Sequence, residues 1–210
     1  MWNFFDKILF LNQVERTDRL NDCLNELARV GLKADPFYSI KAEQPFKSFC
    51  LSQISILKEF LLTDHKTFLA LEDDVLFKDL THLPAALNEL PEDWDIVYLG
   101  ANVTEDRPEF YSHYLRRVRS AWTTHAVGYS RKAVEKIVES YKGDWENEGM
   151  YDDWLSRNFL PNNQCFIVAP MVAWQRDGFS DLWNRDASYG WWFIEQKLTG
   201  PIPRKVFFAI

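Results

Sequence analysis

Cysteine, positive charge and long apolar runs are all in short supply in this chain, and each shortage removes a class of protein. The three cysteines, Cys23, Cys50 and Cys165, form an odd set with no CxxC spacing. That excludes a disulfide framework or a cysteine-based zinc site and fits a reducing compartment. Lysine and arginine number 24 against 31 acids, a net charge of −7. A general binder of nucleic-acid backbones needs the opposite balance. The opening Met1-Trp2-Asn3-Phe4-Phe5-Asp6-Lys7 has an acid before its short apolar run. It lacks the basic start and long apolar stretch of a secretory signal. No segment reaches the length needed to span a membrane, so a cytoplasmic location is expected. Repeats, low-complexity tracts and interdomain linkers are also missing. The 210 residues therefore read as one domain, 1–210, with enough chain to bury a substantial core.

What is present is an ordinary globular composition, 47% hydrophobic and 26% charged, with a high aromatic share of 16%. The most informative stretch is Thr67-Phe68-Leu69-Ala70-Leu71-Glu72-Asp73-Asp74-Val75-Leu76-Phe77. It is an apolar run of strand length that ends in three carboxylates and then turns apolar again. Such a run reads as a strand buried on both faces of an α/β sheet. Three adjacent acids cannot stay buried without partners, because desolvating a carboxylate is costly. A divalent cation resolves the conflict: hard oxygen ligands suit Mg²⁺ or Mn²⁺, which can in turn hold a diphosphate. Ligands of open α/β sheets also bind at the carboxyl ends of strands. The alternative is a solvated acidic turn.

The rest of the chain alternates strand and helix. Lys7 to Leu11 is a short strand ending at Asn12. Thr17 is placed to cap a helix with Leu20, Leu24, Leu27 and Val30 at helical spacing and Gly31 as its stop. A weaker strand follows at Asp35 to Ile40, then a helix over Phe46 to Leu62 with Phe49, Ile54, Leu57 and Leu61 inward. After the acidic strand come a short helix near Leu83 to Leu90 and a strand over Trp94 to Gly100. An irregular charged stretch leads to a strand over Thr123 to Tyr129. Ser130 then caps the helix Lys132 to Tyr141. Met150 to Phe159 is expected to be helical, and Gln164 to Trp174 to be a strand broken by Pro170. This alternation predicts a mainly parallel sheet.

Four clusters could carry chemistry: Asn12 with Arg16, Asp18 and Arg19; the acidic triplet; Thr123 to Ser130 around His125; and Tyr151-Asp152-Asp153-Trp154 followed by Gln175 to Asp181. Arginines near a helix start suit phosphates, and surface ion pairs are the alternative. His125 reads either as a ligand or as a hydrogen-bonded core histidine.

These segments resemble glycosyltransferase family 25, which includes lipopolysaccharide and collagen galactosyltransferases. Phe10-Leu11-Asn12 with Arg16, Asp18 and Arg19 is similar to its opening motif, and Phe49-Cys50-Leu51-Ser52-Gln53 to a helix start. Leu69 to Val75 resembles its acidic strand, Trp94 to Gly100 the strand after it, and Thr124 to Ser130 its Thr-His segment. Ala169-Pro170 through Ser180-Asp181 resembles its late motif. The likeness runs in the family's order from about residue 7 to residue 183, with Gln53 where the family has His and Phe49 where it has Gly. It implies a GT-A fold, with a nucleotide-sugar-binding half (1–100) joined to an acceptor-binding half and tail (101–210), and a UDP-sugar donor used with Mn²⁺ or Mg²⁺. It also implies a hexosyltransferase, with galactose or glucose as the sugar, that inverts at the anomeric carbon. By analogy with other metal-binding D-x-D sites, Asp74 is the direct metal ligand, Glu72 binds the metal through water or contacts the ribose, and Asp73 does either. Leu11 and Asn12 would line the nucleoside pocket with Arg16 or Arg19 near the phosphates, and Ser52 and Gln53 join the donor-contacting set through the resemblance.

A transferase of this kind needs a base for the hydroxyl of its saccharide or glycoconjugate acceptor, and a carboxylate serves. Asp153 and Asp152 are the candidates, Asp153 taken first because it lies one turn from Ser156 and Arg157, with Asp181 in reserve. Helix capping is their structural alternative. Seven of the nine tryptophans lie at or after position 122, including Trp174, Trp183, Trp191 and Trp192. That skew suits sugar stacking, although most tryptophans serve packing. Arg116, Arg117 and Arg119 read as a solvated loop, or as a peripheral contact with anionic membrane lipid. Two other classes compete: a non-catalytic carbohydrate-binding relative, and a metal-dependent phosphohydrolase, for which four histidines are few.

Overall fold

Short apolar runs and amphipathic stretches alternate along the chain, and the fold follows that alternation. The computed structural model describes residues 1–189, and the tail, with Trp191 and Trp192, lies outside the described residues. The first half contains β1 (Lys7–Asn12), α1 (Thr17–Arg29), β2 (Asp35–Tyr38), α2 (Pro45–Leu61), β3 (Thr67–Glu72), β4 (Val75–Phe77), α3 (Leu83–Asn88) and β5 (Ile96–Tyr98). Four short strands follow: β6 (Asn102–Val103), β7 (Glu109–Phe110), β8 (Leu115–Arg117) and β9 (Ala121–Trp122). Then come β10 (Ala126–Ser130), α4 (Arg131–Ser140), α5 (Trp145–Glu148) and α6 (Tyr151–Trp154). The last elements are β11 (Cys165–Val168), β12 (Ala173–Gln175), β13 (Gly178–Ser180) and β14 (Arg185–Ala187).

Eight strands form one sheet in the order β2-β1-β3-β10-β5-β11-β8-β7. β1 pairs in parallel with β2 and β3, and β5 in parallel with β11. β10 lies antiparallel between β3 and β5, and β8 lies antiparallel to both β11 and β7. Only β10 and β8 therefore run against the other strands, and the sheet is mixed but mainly parallel. It draws strands from both sides of residue 100, since β10 is inserted between two strands of the first half.

The sheet is covered on both faces. Along β3, Phe68 and Ala70 join one apolar layer while Leu69 and Leu71 join the other. β1 divides the same way, with Leu9 and Leu11 on one side and Phe10 on the opposite one. Ile54, Leu57 and Phe60 of α2 and Val134 and Ile137 of α4 cover the first face. Cys23 and Leu27 of α1 and Leu83 and Leu87 of α3 cover the second. Each fully buried Leu, Ile or Phe contributes about 1.5–3 kcal/mol. All three cysteines are buried and unbridged.

Local signals act largely as expected. Ser130 caps α4 by accepting from the Ala133 N–H at 3.3 Å. Gly31 ends the first helix at φ +65°, a left-handed conformation that costs glycine little. Thr17 does not cap α1: it is the first helical residue, and Arg16 takes the cap position without a side-chain capping bond. The stretch expected to be helical to Phe159 is helical throughout, α-helical to Trp154 and then a π-helix over Leu155–Phe159. The charged stretch expected to be irregular holds four two- or three-residue strands, two of which extend the main sheet. Val75–Phe77 leaves the sheet to pair with β12, Val75 opposite Gln175 and Phe77 opposite Ala173. Among the described residues no helix is long and apolar enough to cross a membrane.

Candidate active site

Parallel pairing of β1 and β3 sets Leu11 opposite Glu72, so Asn12 and Asp73 emerge side by side at the carboxyl end of the sheet. Asn12 Nδ2 donates to Asp73 Oδ2 at 2.9 Å and to the Arg16 carbonyl at 3.3 Å, which fixes the start of α1 against the triplet. From the first turn of that helix, Arg19 Nη1 donates to Asp73 Oδ1 at 2.8 Å and lies 3.6 Å from Asp74 Oδ2. Asp73 and Asp74 are buried, and Glu72 is half-buried. Gln53 Nε2, reaching from α2, donates to Glu72 Oε1 at 3.1 Å, and Thr124 Oγ1 donates to the same oxygen at 2.7 Å. Gln53 also donates to Thr124 Oγ1 at 3.0 Å, closing a three-membered network.

The electrostatics follow from crowding acids out of water. Burial, with the charge of Asp74 added, raises the Glu72 pKa to about 8 against the opposing Thr124 hydroxyl. Burial raises Asp74 to about 6, with Arg19 pulling the other way and Asp73 adding to the rise. Asp73 is also raised by burial, and Arg19 and Asn12 hold it back. Burial works against the charge of Arg19, but Asp74 and Asp73 outweigh it and its pKa rises.

Asp74 Oδ1 is buried with no hydrogen-bond partner. An anionic oxygen left without a donor is the feature a cation satisfies. Among the described residues no three His, Cys, Asp or Glu side chains are grouped to hold an ion by themselves. The donor set therefore fits an ion held through one or two carboxylates and completed by phosphate oxygens and water, the habit of Mg²⁺.

A fourth carboxylate reaches the same region from α6. Asp152 accepts from the Thr123 N–H at 3.1 Å and from the Asp153 N–H at 3.0 Å, and its charge is felt at Glu72. Burial raises its pKa, and those backbone donors oppose the rise. Thr123 holds φ at +71°, a rare conformation for a β-branched residue. This strain orients two consecutive donors, the Thr123 N–H to Asp152 and the Thr124 hydroxyl to Glu72. Strain of this kind persists only where the surroundings over-determine it, and it clusters at functional sites. Sequence reasoning placed Thr123 in the cluster around His125 but gave it no role of its own, because a positive φ at threonine carries no signature.

The remaining expected residues divide. Leu11 is buried in the core beneath the strand end. Ser52 belongs to a brace: its hydroxyl accepts from the Ile40 N–H at 2.8 Å and donates to the Ser48 carbonyl at 2.6 Å, tying the loop after β2 to α2. Asp153 forms an ion pair with Arg157 at 2.5 Å, one turn along, with both side chains substantially exposed. Asp181 is ion-paired with Arg16, on the side of the triplet occupied by α1. Arg16 also binds Asp18, at 2.9 and 2.8 Å. His125 is a core histidine: it is fully buried, burial depresses its pKa to about 4, and its Nε2 lies 3.0 Å from where a Gly100 Cβ would stand. Arg116 packs over Phe110 and donates to the Ser112 and Leu115 carbonyls, while Arg119 pairs with Glu109.

No family model matches the chain, and no curated protein matches it. Solved structures do. Crystalline A197 from STIV is 15% identical, with a TM-score of 0.50 over 86% of this chain and 92% of that one. A glycosyltransferase involved in glycosylation of the major capsid of PBCV-1 is 13% identical, with a TM-score of 0.48 over 77% and 79%. At such identities the likeness is one of fold. It goes with the α/β architecture expected from the alternation of strands and helices: a mainly parallel sheet flanked by helices, with the acidic triplet at the end of a central strand.

Proposed function

We propose that this protein is a metal-dependent glycosyltransferase that moves a hexose, galactose or glucose, from a UDP-sugar to a hydroxyl of a saccharide or glycoconjugate. The observation that carries this reading is the acidic triplet itself, in which Asp74 turns Oδ2 toward Arg19 and leaves Oδ1 buried without a partner, with Asp152 held nearby. A divalent ion held by Asp74, and by Glu72 through water, would stabilise the negative charge on the departing diphosphate as a Lewis acid. Arg19 and Arg16 stand at the start of α1, where guanidinium groups suit phosphate oxygens. Leu11 and Asn12 frame the nucleoside side.

Asp152 takes the acceptor proton in this reading, ahead of Asp153. Asp152 is held by two backbone donors close to the triplet, whereas the Asp153 carboxylate is committed to Arg157. Its raised pKa brings it nearer to operating pH, where a general base is most effective. Gln53, where a histidine would stand in family 25, orients Glu72 instead. The motif order supports assignment to family 25 and, with it, inversion at the anomeric carbon. The two halves of the chain, 1–100 for the donor and 101–210 for the acceptor, belong to the same proposal.

The test is turnover of UDP-galactose and UDP-glucose with and without a mixture of saccharide acceptors. Slow hydrolysis that acceptors convert into faster transfer is expected. Hydrolysis of the same rate whatever is added would contradict transfer and favour a phosphohydrolase.

A further inference from the structure

The segment after β12 folds back against the start of α1 and engages the two arginines given above to the donor phosphates. Phe179 and Ser180 of β13 pair with Asp186 and Arg185 of β14 in a two-stranded sheet that is separate from the central one. Asp181, at its turn, is ion-paired with Arg16, and the Phe179 carbonyl accepts from Arg19 Nη2 at 2.9 Å. At its base Asp177 accepts from the Ser188 hydroxyl at 3.0 Å and from the Tyr189 N–H at 2.7 Å. Two strands alone are marginally stable in water. At its turn the apolar anchoring of this hairpin is thin: Phe179 is 44% and Trp183 53% exposed, with Trp183 meeting the Phe46 ring edge-on at 5.2 Å, while at its base Tyr189 packs against the first apolar layer. The turn end of the hairpin is therefore held down largely by an anion and a carbonyl oxygen seated on Arg16 and Arg19.

We propose that the 177–189 hairpin is a latch, in which Asp181 and the Phe179 carbonyl occupy the guanidinium groups that a diphosphate takes when the donor binds. The hairpin and the diphosphate then compete, and donor binding releases the hairpin. This rests on the reading of Arg16 and Arg19 as phosphate contacts.

Removing an acid beside an anion site strengthens anion binding by charge alone, so the test needs a matched control. Asp18 supplies it, because it is also paired with Arg16 but belongs to α1 and not to the hairpin. Affinity for UDP with Mn²⁺, and for inorganic pyrophosphate with Mn²⁺, is measured for the wild type, Asp181→Asn and Asp18→Asn. Hydrogen exchange of the amides of residues 178–188 is followed in parallel. Asp181→Asn is expected to bind both probes roughly threefold or more tightly, beyond any gain in Asp18→Asn, since partly exposed ion pairs have modest strength. Its hairpin amides should exchange faster without ligand, and pyrophosphate should speed the same amides in the wild type. Equal gains in the two variants, or hairpin amides that slow or stay unchanged when pyrophosphate binds, would overturn the latch. If the wild type binds neither probe while its hairpin amides behave as in Asp181→Asn, the phosphate reading of the arginines has failed and the latch fails with it.

Discussion

At the residue scale the site is governed by the cost of keeping acids out of water. Glu72 is the clearest case, raised from an ordinary 4.5 to about 8 by burial and by Asp74. Between those values the folded protein binds more protons than the unfolded chain, so stability falls as pH rises through the window. In chelator, the slope from Glu72 should approach about 1.4 kcal/mol per pH unit at most, and Glu72→Gln should flatten it. Urea melts from pH 5 to 8 check this, and parallel slopes in the two proteins would count against the raised pKa. The paired carboxylates of α6 separate just as sharply. Asp152→Asn should lower turnover by roughly 10²- to 10⁴-fold with donor affinity nearly unchanged. Asp153→Asn should cost the fold about 0.5 kcal/mol or less and leave turnover close to wild type, since an exposed i,i+4 pair is worth little. Steady-state kinetics with UDP binding alongside distinguishes them, and the reverse ranking would return the base to Asp153.

At the scale of elements, what could be read from the sequence depended on length and periodicity. β3 announced itself by an apolar run that is buried on both faces, and α4 by Ser130 ahead of a helical apolar pattern. Strands of two or three residues such as β6 to β9 have too few positions for an alternating pattern, and their pairing is set by tertiary context. The same holds within the site. Glu72, Asp73 and Asp74 are adjacent and could be found by eye, but the donors that orient the acids come from α2, α6 and the turn before β10. The close approach of the segment after β5 to β12 was equally invisible. A Cβ on Gly100 would stand 1.8 Å from the Ala173 carbonyl oxygen, a backbone atom that cannot swing aside. Gly100→Ala should therefore cost about 1–3 kcal/mol, the usual range for overpacking. A thermal melt within experimental error of wild type would mean that the two strands separate more readily than this packing implies.

At the scale of the whole molecule, a sheet covered on both faces presents its acids at the carboxyl end of a central strand, and the hairpin after β12 rests on the arginines beside them. Strand order brings β10 between β3 and β5, so Thr124 reaches Glu72 from the middle of the sheet while α6 brings Asp152 alongside. This strand end is expected to bind a nucleotide diphosphate through a cation on Asp74. Thermal stability with UDP, measured with Mn²⁺ and again in excess chelator, for the wild type and Asp74→Ala, tests it most directly. At about 100 times its dissociation constant the ligand should stabilise the wild type by about 2.7 kcal/mol with Mn²⁺ and hardly at all in chelator. Asp74→Ala should fold and melt normally but show no metal-dependent gain. Equal stabilisation with and without metal, or a full response in Asp74→Ala, would contradict the account.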